Sequence, residues 1–516
     1  MAGSRFGSLV FGSPLAEPNQ NIMVVIFLRG GADVLNILTP LSGDDRAYYE
    51  DARPELKIPV AELLPLGGDP FGLHPAMGAL YDIYNTGDLA IVRAAGMHSD
   101  TRSHFDAQAF MERGAPDQAL PSTGWLTRHI ETAPFTIGSD ELGNVALETA
   151  LPASFASSPD AIALNKFNSF DLNTGEYEWR DELKASIRQM YELGTSDSHV
   201  YGVNALDAVD IVTANFSDDY TPEPGVVYPD NGFGDHLKML AQIIKKQVGL
   251  RTATIDLGGW DTHKSQGGGS TGYFSDMLGV LSDGLGALYA DLNTSQTDYR
   301  GRVTIATMSE FGRRFVENAN VGTDHGHGGM LMVLGGQANG GLHGVWPGLH
   351  TDQLYNGKDL AVTTDYRRVL SELIIRQFNN TNIDYVFPEY TGYSPLGVIR
   401  SIPETPVTQI RKAGSDVEIT WGHIAKDTDG RDVDIDRYEV WRSASPYFDP
   451  IELGLEPISS IVPPGDANEG DPVVFTDAGV AATVGSYYYT VRAVGVDEQV
   501  SGLARETGEF TYELIR

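Results

Sequence analysis

The chain reads as an α/β protein: a doubly wound, mostly parallel sheet carrying a cap insertion, followed by an all-β sandwich. Three observations predict this. Bare apolar runs of strand length recur between residues 23 and 334, and strands buried on both faces of a parallel sheet read this way. Segments with apolar residues at the 3.6-residue period lie between them. Beyond about residue 400 the runs become short, alternating, β-branched and aromatic, as in an antiparallel sandwich.

Taken in order, Met23–Leu28 is the first strand, turned by Gly30-Gly31. Leu89–Ala94, Thr252–Leu257, Val303–Met308 and Met330–Leu334 are the next four. Leu237, Leu240, Ile243, Ile244 and Val248 mark one helix, stopped at Gly249, and Phe274 through Leu292 mark another. From Leu120 to Tyr228 one helix is clear (Asp181–Leu193) and no run reads as sheet, so residues 120–228 are expected to form a cap or insertion. Ser401–Pro406 reads as a linker. The expected division is therefore 1–400, 401–406 and 407–516. In the last piece Val417–Trp421, Arg437–Ser443, Val473–Thr476 and Ser486–Val494 are the strands.

Composition narrows the function. The 516 residues carry 36 basic and 70 acidic side chains, a formal charge of −34. Such a surface repels phosphate backbones and anionic lipid, so no nucleic-acid or membrane-surface partner is expected, whereas divalent cations are attracted. No run of about 18 apolar residues occurs, so no transmembrane segment is expected. With no cysteine, disulfides, thiolate zinc sites and a cysteine nucleophile are excluded. From Thr405 onward 20 acidic residues face nine basic ones.

The unusual residues cluster where the strands end, the place ligands occupy in open α/β sheets. Asp33 follows strand one. His98, Thr101, Arg102, Ser103 and His104 follow strand two. Asp261 and His263 follow strand three, Glu310, Arg313 and Arg314 follow strand four, and Asp324, His325 and His327 precede strand five. Five of the twelve histidines lie in these loops. Imidazole and carboxylate suit zinc, manganese or iron, and a site without thiolates is more often catalytic than structural. Asp324-His325-Gly-His327-Gly-Gly is the firmest ligand candidate, because histidines among glycines make a poor core and a good chelate. Each of the others has a plainer role open to it: Asp33 as a helix cap, Ser103 with Asp106 as a capping box, Asp261 with His263 as a surface pair, Glu310 as an ion pair, and the arginines as solvated charges. Ser103 also sits at a helix N-terminus, which favours an anion. His74 and His129 read as capping or packing residues. Asp427 through Asp436 alternates carboxylates without the spacing of an EF-hand, and reads as an acidic turn.

Taken together, Arg-Gly-Gly-Ala-Asp33, Thr101-Arg-Ser-His-Phe-Asp, Gly-Gly-Trp-Asp261-Thr-His, Ser309-Glu-Phe-Gly-Arg, Thr323-Asp-His-Gly-His-Gly and Thr364-Asp-Tyr-Arg resemble the motifs of the bacterial domain-of-unknown-function family 1501, over about residues 20 to 400. That family is grouped with the alkaline phosphatase and sulfatase superfamily. The resemblance implies an alkaline phosphatase-like fold and an exported, metal-dependent hydrolase of phosphate or related esters. The cofactor would be one or two divalent ions, zinc or manganese first, with calcium or magnesium as alternatives. It implies Asp33, Asp261, His263, Glu310, Asp324, His325 and His327 as metal ligands. It implies Ser103 as nucleophile with Thr101 as runner-up, Arg102 or Arg313 as oxygen clamps, and His104 or His98 as proton donor. Glu310 stands, without an adjacent histidine, where the superfamily places an Asp-His pair. Without cysteine, and with no match around Ser99 to Arg102, formylglycine sulfatase chemistry is disfavoured.

Many members leave the cell by the twin-arginine route, and Met1-Ala-Gly-Ser-Arg resembles a trimmed leader; the expected location is secreted, periplasmic or cell-surface. The last 110 residues resemble a fibronectin type III domain, with Trp421, Tyr438, Trp441 and Tyr487 to Tyr489 at its aromatic positions. Self-association or cell-surface contact through that domain is expected, beside a small-molecule or polymer ester as substrate. The competing expectation is a non-catalytic secreted surface or assembly protein whose ion site is structural or vestigial.

Overall fold

The computed structural model describes residues 21–509 apart from 116–120, 173–178, 218, 296, 429, 431, 452, 483–485, 497–498 and 506. The leader-like start and Asp429 of the acidic turn lie outside the described residues. The chain divides into two compact units after Val398.

Among the described residues, nine strands form the sheet of the first unit. The order is Gly341–His343, Leu89–Gly96, Gly329–Leu334, Val303–Met308, Ile22–Leu28, Thr252–Leu257, Asn144–Ala146, Ala161–Ala163, and Thr364–Asp365 also pairs with Leu89–Gly96. Ile22–Leu28 is apolar throughout and wholly buried, running parallel between Thr252–Leu257 and Val303–Met308. Its sequence suits that place, since a central parallel strand has no solvated face. The helix Gly232–Lys246 is capped by Asn231, whose Oδ1 accepts the Gly234 N–H at 3.0 Å. It ends at Gln247 in the left-handed conformation. Tyr273–Asp291 buries Phe274, Leu278, Leu281, Leu285 and Leu288 at helical spacing.

The sheet is mostly but not wholly parallel: six of its pairings are parallel, and Gly329–Leu334 lies antiparallel to both Val303–Met308 and Leu89–Gly96. No crossover helix separates Met308 from Gly329 among the described residues, and without one the chain returns in the opposite direction. Nor is the 120–228 segment purely a cap: Asn144–Ala146 and Ala161–Ala163 extend the sheet in parallel beyond Thr252–Leu257. Three-residue strands are too short to show a period in sequence. The remainder includes two helices, Arg180–Glu192 and Asp197–Asn215, linked by Arg188 to Asp207 at 2.6 Å and to Asp210 at 3.1 Å.

The second unit has two antiparallel sheets. One holds Gln409–Ala413, Asp416–Gly422 and Pro472–Asp477; the other holds Ser459–Ile461, Ile435–Ser443, Tyr487–Gly495 and Thr507–Glu509. Val417, Ile419 and Trp421 of the first share a core with Tyr438, Val440, Tyr489 and Val491 of the second. The expected 401–406 linker is tied down within this unit. Thr428 donates its N–H to the Ile402 carbonyl at 2.9 Å, and Glu404 to that of Lys426 at 3.0 Å. The acidic turn is closed by Lys426 on Asp432 at 2.6 Å.

Candidate functional site

The antiparallel return of Gly329–Leu334 decides where the site forms. It brings the residues preceding that strand to the edge where Ile22–Leu28, Leu89–Gly96, Thr252–Leu257 and Val303–Met308 end. The loop after Thr252–Leu257 is anchored by the buried Trp260, whose ring meets Phe274 edge-on at 5.7 Å. Asp261 and His263 follow at once. Gly30, at φ +125°, lies against this loop so closely that a Cβ would stand 2.4 Å from the Asp261 nitrogen. Gly326 similarly lies where a Cβ would be 2.3 Å from the Arg313 carbonyl carbon. Only glycine permits these approaches.

Three imidazoles converge on one carboxylate oxygen. The Nε2 atoms of His104, His263 and His325 lie 3.4, 3.1 and 3.3 Å from Asp261 Oδ1. His263 Nε2 and His325 Nε2 are 2.8 Å apart. Ligand atoms of His104, Asp261 and His325 all fall within 4.8 Å of one another, the arrangement of a metal-capable group. The Nδ1 atom of each ring faces an acceptor. His104 Nδ1 meets Glu310 Oε1 at 2.7 Å, His263 Nδ1 meets Asp324 Oδ1 at 3.1 Å, and His325 Nδ1 meets the Arg102 carbonyl at 2.8 Å. With the proton on Nδ1 of each ring, these contacts are hydrogen bonds and each Nε2 is left as a lone pair. His104 Nε2 is buried without a hydrogen-bond partner, the condition of a nitrogen shaped to ligate.

The electrostatics agree. Partial burial works against it, yet the hydrogen bond and charge of Arg313 hold the Asp261 carboxyl below its usual range. Burial likewise opposes ionisation of Glu310, but hydrogen bonds from His104, Gln108 and Gly30 keep its pKa low. Hydrogen bonds from Asn318 and His263 lower Asp324. Burial pushes His325 down, whereas the Glu310 hydrogen bond raises His104. Phe311 closes one side, its ring 4.9 Å from that of His104 and 5.0 Å from that of His325. The other side is open, with Asp261 48 % and His263 42 % exposed.

Several candidates fall elsewhere. Asp33 is not among the converging atoms: buried with Arg53, its Oδ2 accepts from Arg53 Nη1 at 2.6 Å and Gln266 Nε2 at 2.7 Å, while its Oδ1 has no hydrogen-bond partner. His327 stacks on Tyr355, centroids 3.9 Å apart, because the chain bends there and the two-residue spacing from His325 no longer fixes a common direction. Glu310 lies behind His104 rather than among the converging atoms. Its Oε1 also accepts from Gln108 Nε2 and Gly30 N, both at 2.9 Å, and its Oε2 from Ser309 Oγ at 3.1 Å. Asp324 likewise orients His263. Arg313 is not a free clamp, because its guanidinium donates to the carbonyls of Gly30, Gly31, Trp260 and Thr323 and to Asp261 Oδ1. Arg102, 39 % exposed, donates to Asp359 at 2.5 Å. Ser103 caps the helix His104–Glu112, its Oγ accepting from Asp106 N at 3.4 Å, and Thr101 Oγ1 accepts from Ser103 N at 3.2 Å. His104, expected as a proton donor, instead joins the converging set. Gln108 was missed; its signal was the i, i+4 spacing from His104, which puts both on Glu310. Arg53, the partner of Asp33, left no signal in sequence.

The family model described as "Protein of unknown function (DUF1501)" matches residues 20–386. No curated protein matches the chain. Similar solved structures include a beta-1,2-glucanase from Parabacteroides distasonis, at 20% identity and a TM-score of 0.16 over 22% of this chain and 13% of that one. Another is the Clostridium perfringens spore cortex lytic enzyme SleM, at 8% and 0.15 over 22% and 29%. A third is Ps i-CgsB in complex with k-i-k-neocarrahexaose, at 10% and 0.29 over 78% and 83%. The chain spans less than a third of the length of the first two. Likenesses this slight carry no argument.

Proposed function

The chain belongs to the domain-of-unknown-function 1501 family, and we propose that it is an exported, metal-dependent hydrolase of phosphate or related esters, built on an alkaline phosphatase-like α/β unit with a fibronectin type III-like sandwich appended. The observation that carries the reading is the meeting of three Nε2 atoms on Asp261 Oδ1. Electron-rich atoms this close favour a cation among them, beside the Arg313 guanidinium that donates to the same oxygen. His104, His263, His325 and Asp261 would hold it. When bound, a divalent ion polarises an ester oxygen and lowers the pKa of an attacking hydroxyl.

The chain's own groups supply the rest. Ser103 offers an oxygen at the N-terminus of His104–Glu112, where backbone N–H groups favour negative charge. Ser103 Oγ gives up its proton to solvent and bonds to phosphorus as the bond from phosphorus to the leaving oxygen breaks; water then cleaves the Oγ–phosphorus bond, returning the hydroxyl and releasing phosphate. Arg102, 39 % exposed and paired with the buried Asp359 at 2.5 Å, is the guanidinium of the same loop that would hold the remaining oxygens. With His104 taken into the ligand set, His98, exposed on that loop, is the group left to deliver the leaving-group proton. The alternative, a non-catalytic surface or assembly protein, is favoured by one observation: the Ser103 hydroxyl is engaged in capping its helix.

The test is a screen of phosphate mono- and diesters against protein loaded with zinc or manganese. Turnover that follows metal content, and vanishes in Asp261→Ala, is the expected result. No turnover by protein that demonstrably holds its ion would leave the non-catalytic reading.

A further inference from the structure

The geometry points to a single ion, ligated by His104, His263 and His325 through Nε2 and by Asp261 through Oδ1, with Glu310, Asp324 and the Arg102 carbonyl as its orienting shell. This departs from the two-ion layout that the family resemblance allows, and it rests on the metal-site reading above.

Distances support it first. With metal–nitrogen bonds of about 2.0–2.1 Å, ligand atoms stand about 2.9 Å apart at right angles and about 3.3 Å apart at the tetrahedral angle. The contacts are 2.8, 3.1, 3.3 and 3.4 Å, and the ligand atoms of His104, Asp261 and His325 lie within 4.8 Å of one another, with His263 joining through Asp261 and His325.

The outer contacts support it second. A ligating histidine donates its other N–H to a carboxylate or carbonyl, which fixes the tautomer and the ring. All three rings do so, to Glu310, Asp324 and the Arg102 carbonyl. Arg313, buried and donating to Asp261 Oδ1 at 2.6 Å, anchors the carboxylate from behind.

Third, the groups a second ion would need are spent. Both Glu310 oxygens accept protein donors. Asp33 is neutralised by Arg53 on Oδ2, although its Oδ1 has no hydrogen-bond partner, and His327 lies flat on Tyr355.

The donor set also selects the ion. Calcium and magnesium want mostly oxygen ligands, whereas three imidazoles with one carboxylate suit zinc and its transition-metal neighbours. With Asp261, Glu310 and Asp324 ionised and Arg313 beside them, a divalent ion brings the site to formal neutrality, which eases the approach of an anionic ester against the −34 field.

The experiment uses the full chain, stripped by a chelator and titrated with zinc by calorimetry, with elemental analysis of the product and cobalt absorption as a coordination signature. One equivalent per chain is expected, not displaced by millimolar calcium. His327→Phe, which keeps the ring stack, should also bind one equivalent. Glu310→Gln should still bind one, about 10–100-fold more weakly, with circular dichroism showing the fold intact. Two equivalents in the native chain, or loss of an equivalent in folded His327→Phe, would overturn the inference. Turnover is read separately: one ion without ester hydrolysis supports the site while sinking the hydrolase, and two ions with hydrolysis do the reverse.

Discussion

Arg53→Met tests how firmly Asp33 is held in its buried ion pair. Both side chains are essentially inaccessible, 0 % and 1 % exposed. The Arg53 guanidinium donates to Asp33 Oδ2 at 2.6 Å, Asn36 Oδ1 at 2.9 Å, and the carbonyls of Phe315 and Arg314, both at 2.9 Å. Removing it strands a buried carboxylate that keeps only the Gln266 amide. Breaking one partner out of a buried ion pair costs about 3–5 kcal/mol, and the orphaned acceptors raise rather than lower that figure. Urea unfolding should therefore show a loss of at least about 3 kcal/mol. Asp33→Asn in the same background should recover part of it, since an amide costs less to bury than an unpaired carboxylate. Zinc binding by the folded Asp33→Asn single variant should be unchanged. The reasoning is refuted if Arg53→Met loses less than about 1 kcal/mol, or if folded Asp33→Asn fails to bind zinc.

Other outcomes are expected. Gly30→Ala forces a side chain into backbone at φ +125°; strain of about 1–3 kcal/mol should lower stability in urea and displace Asp261, reducing zinc affinity in calorimetry. Gln108→Leu removes one donor to Glu310 and leaves the direct ligands alone, so zinc affinity should fall less than in Glu310→Gln. His129 is wholly buried, and burial pushes its pKa from an ordinary 6.5 down to about 3. Its neutral form is the folded one, so its contribution is fully present above about pH 6.5 and lost as pH falls toward 3, to a limit of about 5 kcal/mol. His129→Phe should flatten the stability-versus-pH curve across that window; an unchanged slope would show that another group governs it.

The sequence by itself determined the central strands and the helices with a clear apolar stripe, but not the short strands Asn144–Ala146 and Ala161–Ala163 or the helix Asp197–Asn215. Ile22–Leu28 and Thr252–Leu257 are apolar throughout because both sheet faces are covered, and Tyr273–Asp291 shows its buried stripe at helical spacing. Both signals are local and periodic. It also marked the loops that hold the chemistry, since His104, Asp261, His263 and His325 all lay among the residues singled out. Tertiary structure alone decided their roles. Whether His325 or His327 turns inward depends on a bend and on glycines packed against Arg313, and whether Glu310 ligates or orients depends on four donors, three of them from residues more than 200 positions away. The direction of Gly329–Leu334, which carries His325 to the site, follows from strand pairing. Such contacts join residues distant in the chain, and no spacing along a single segment encodes them.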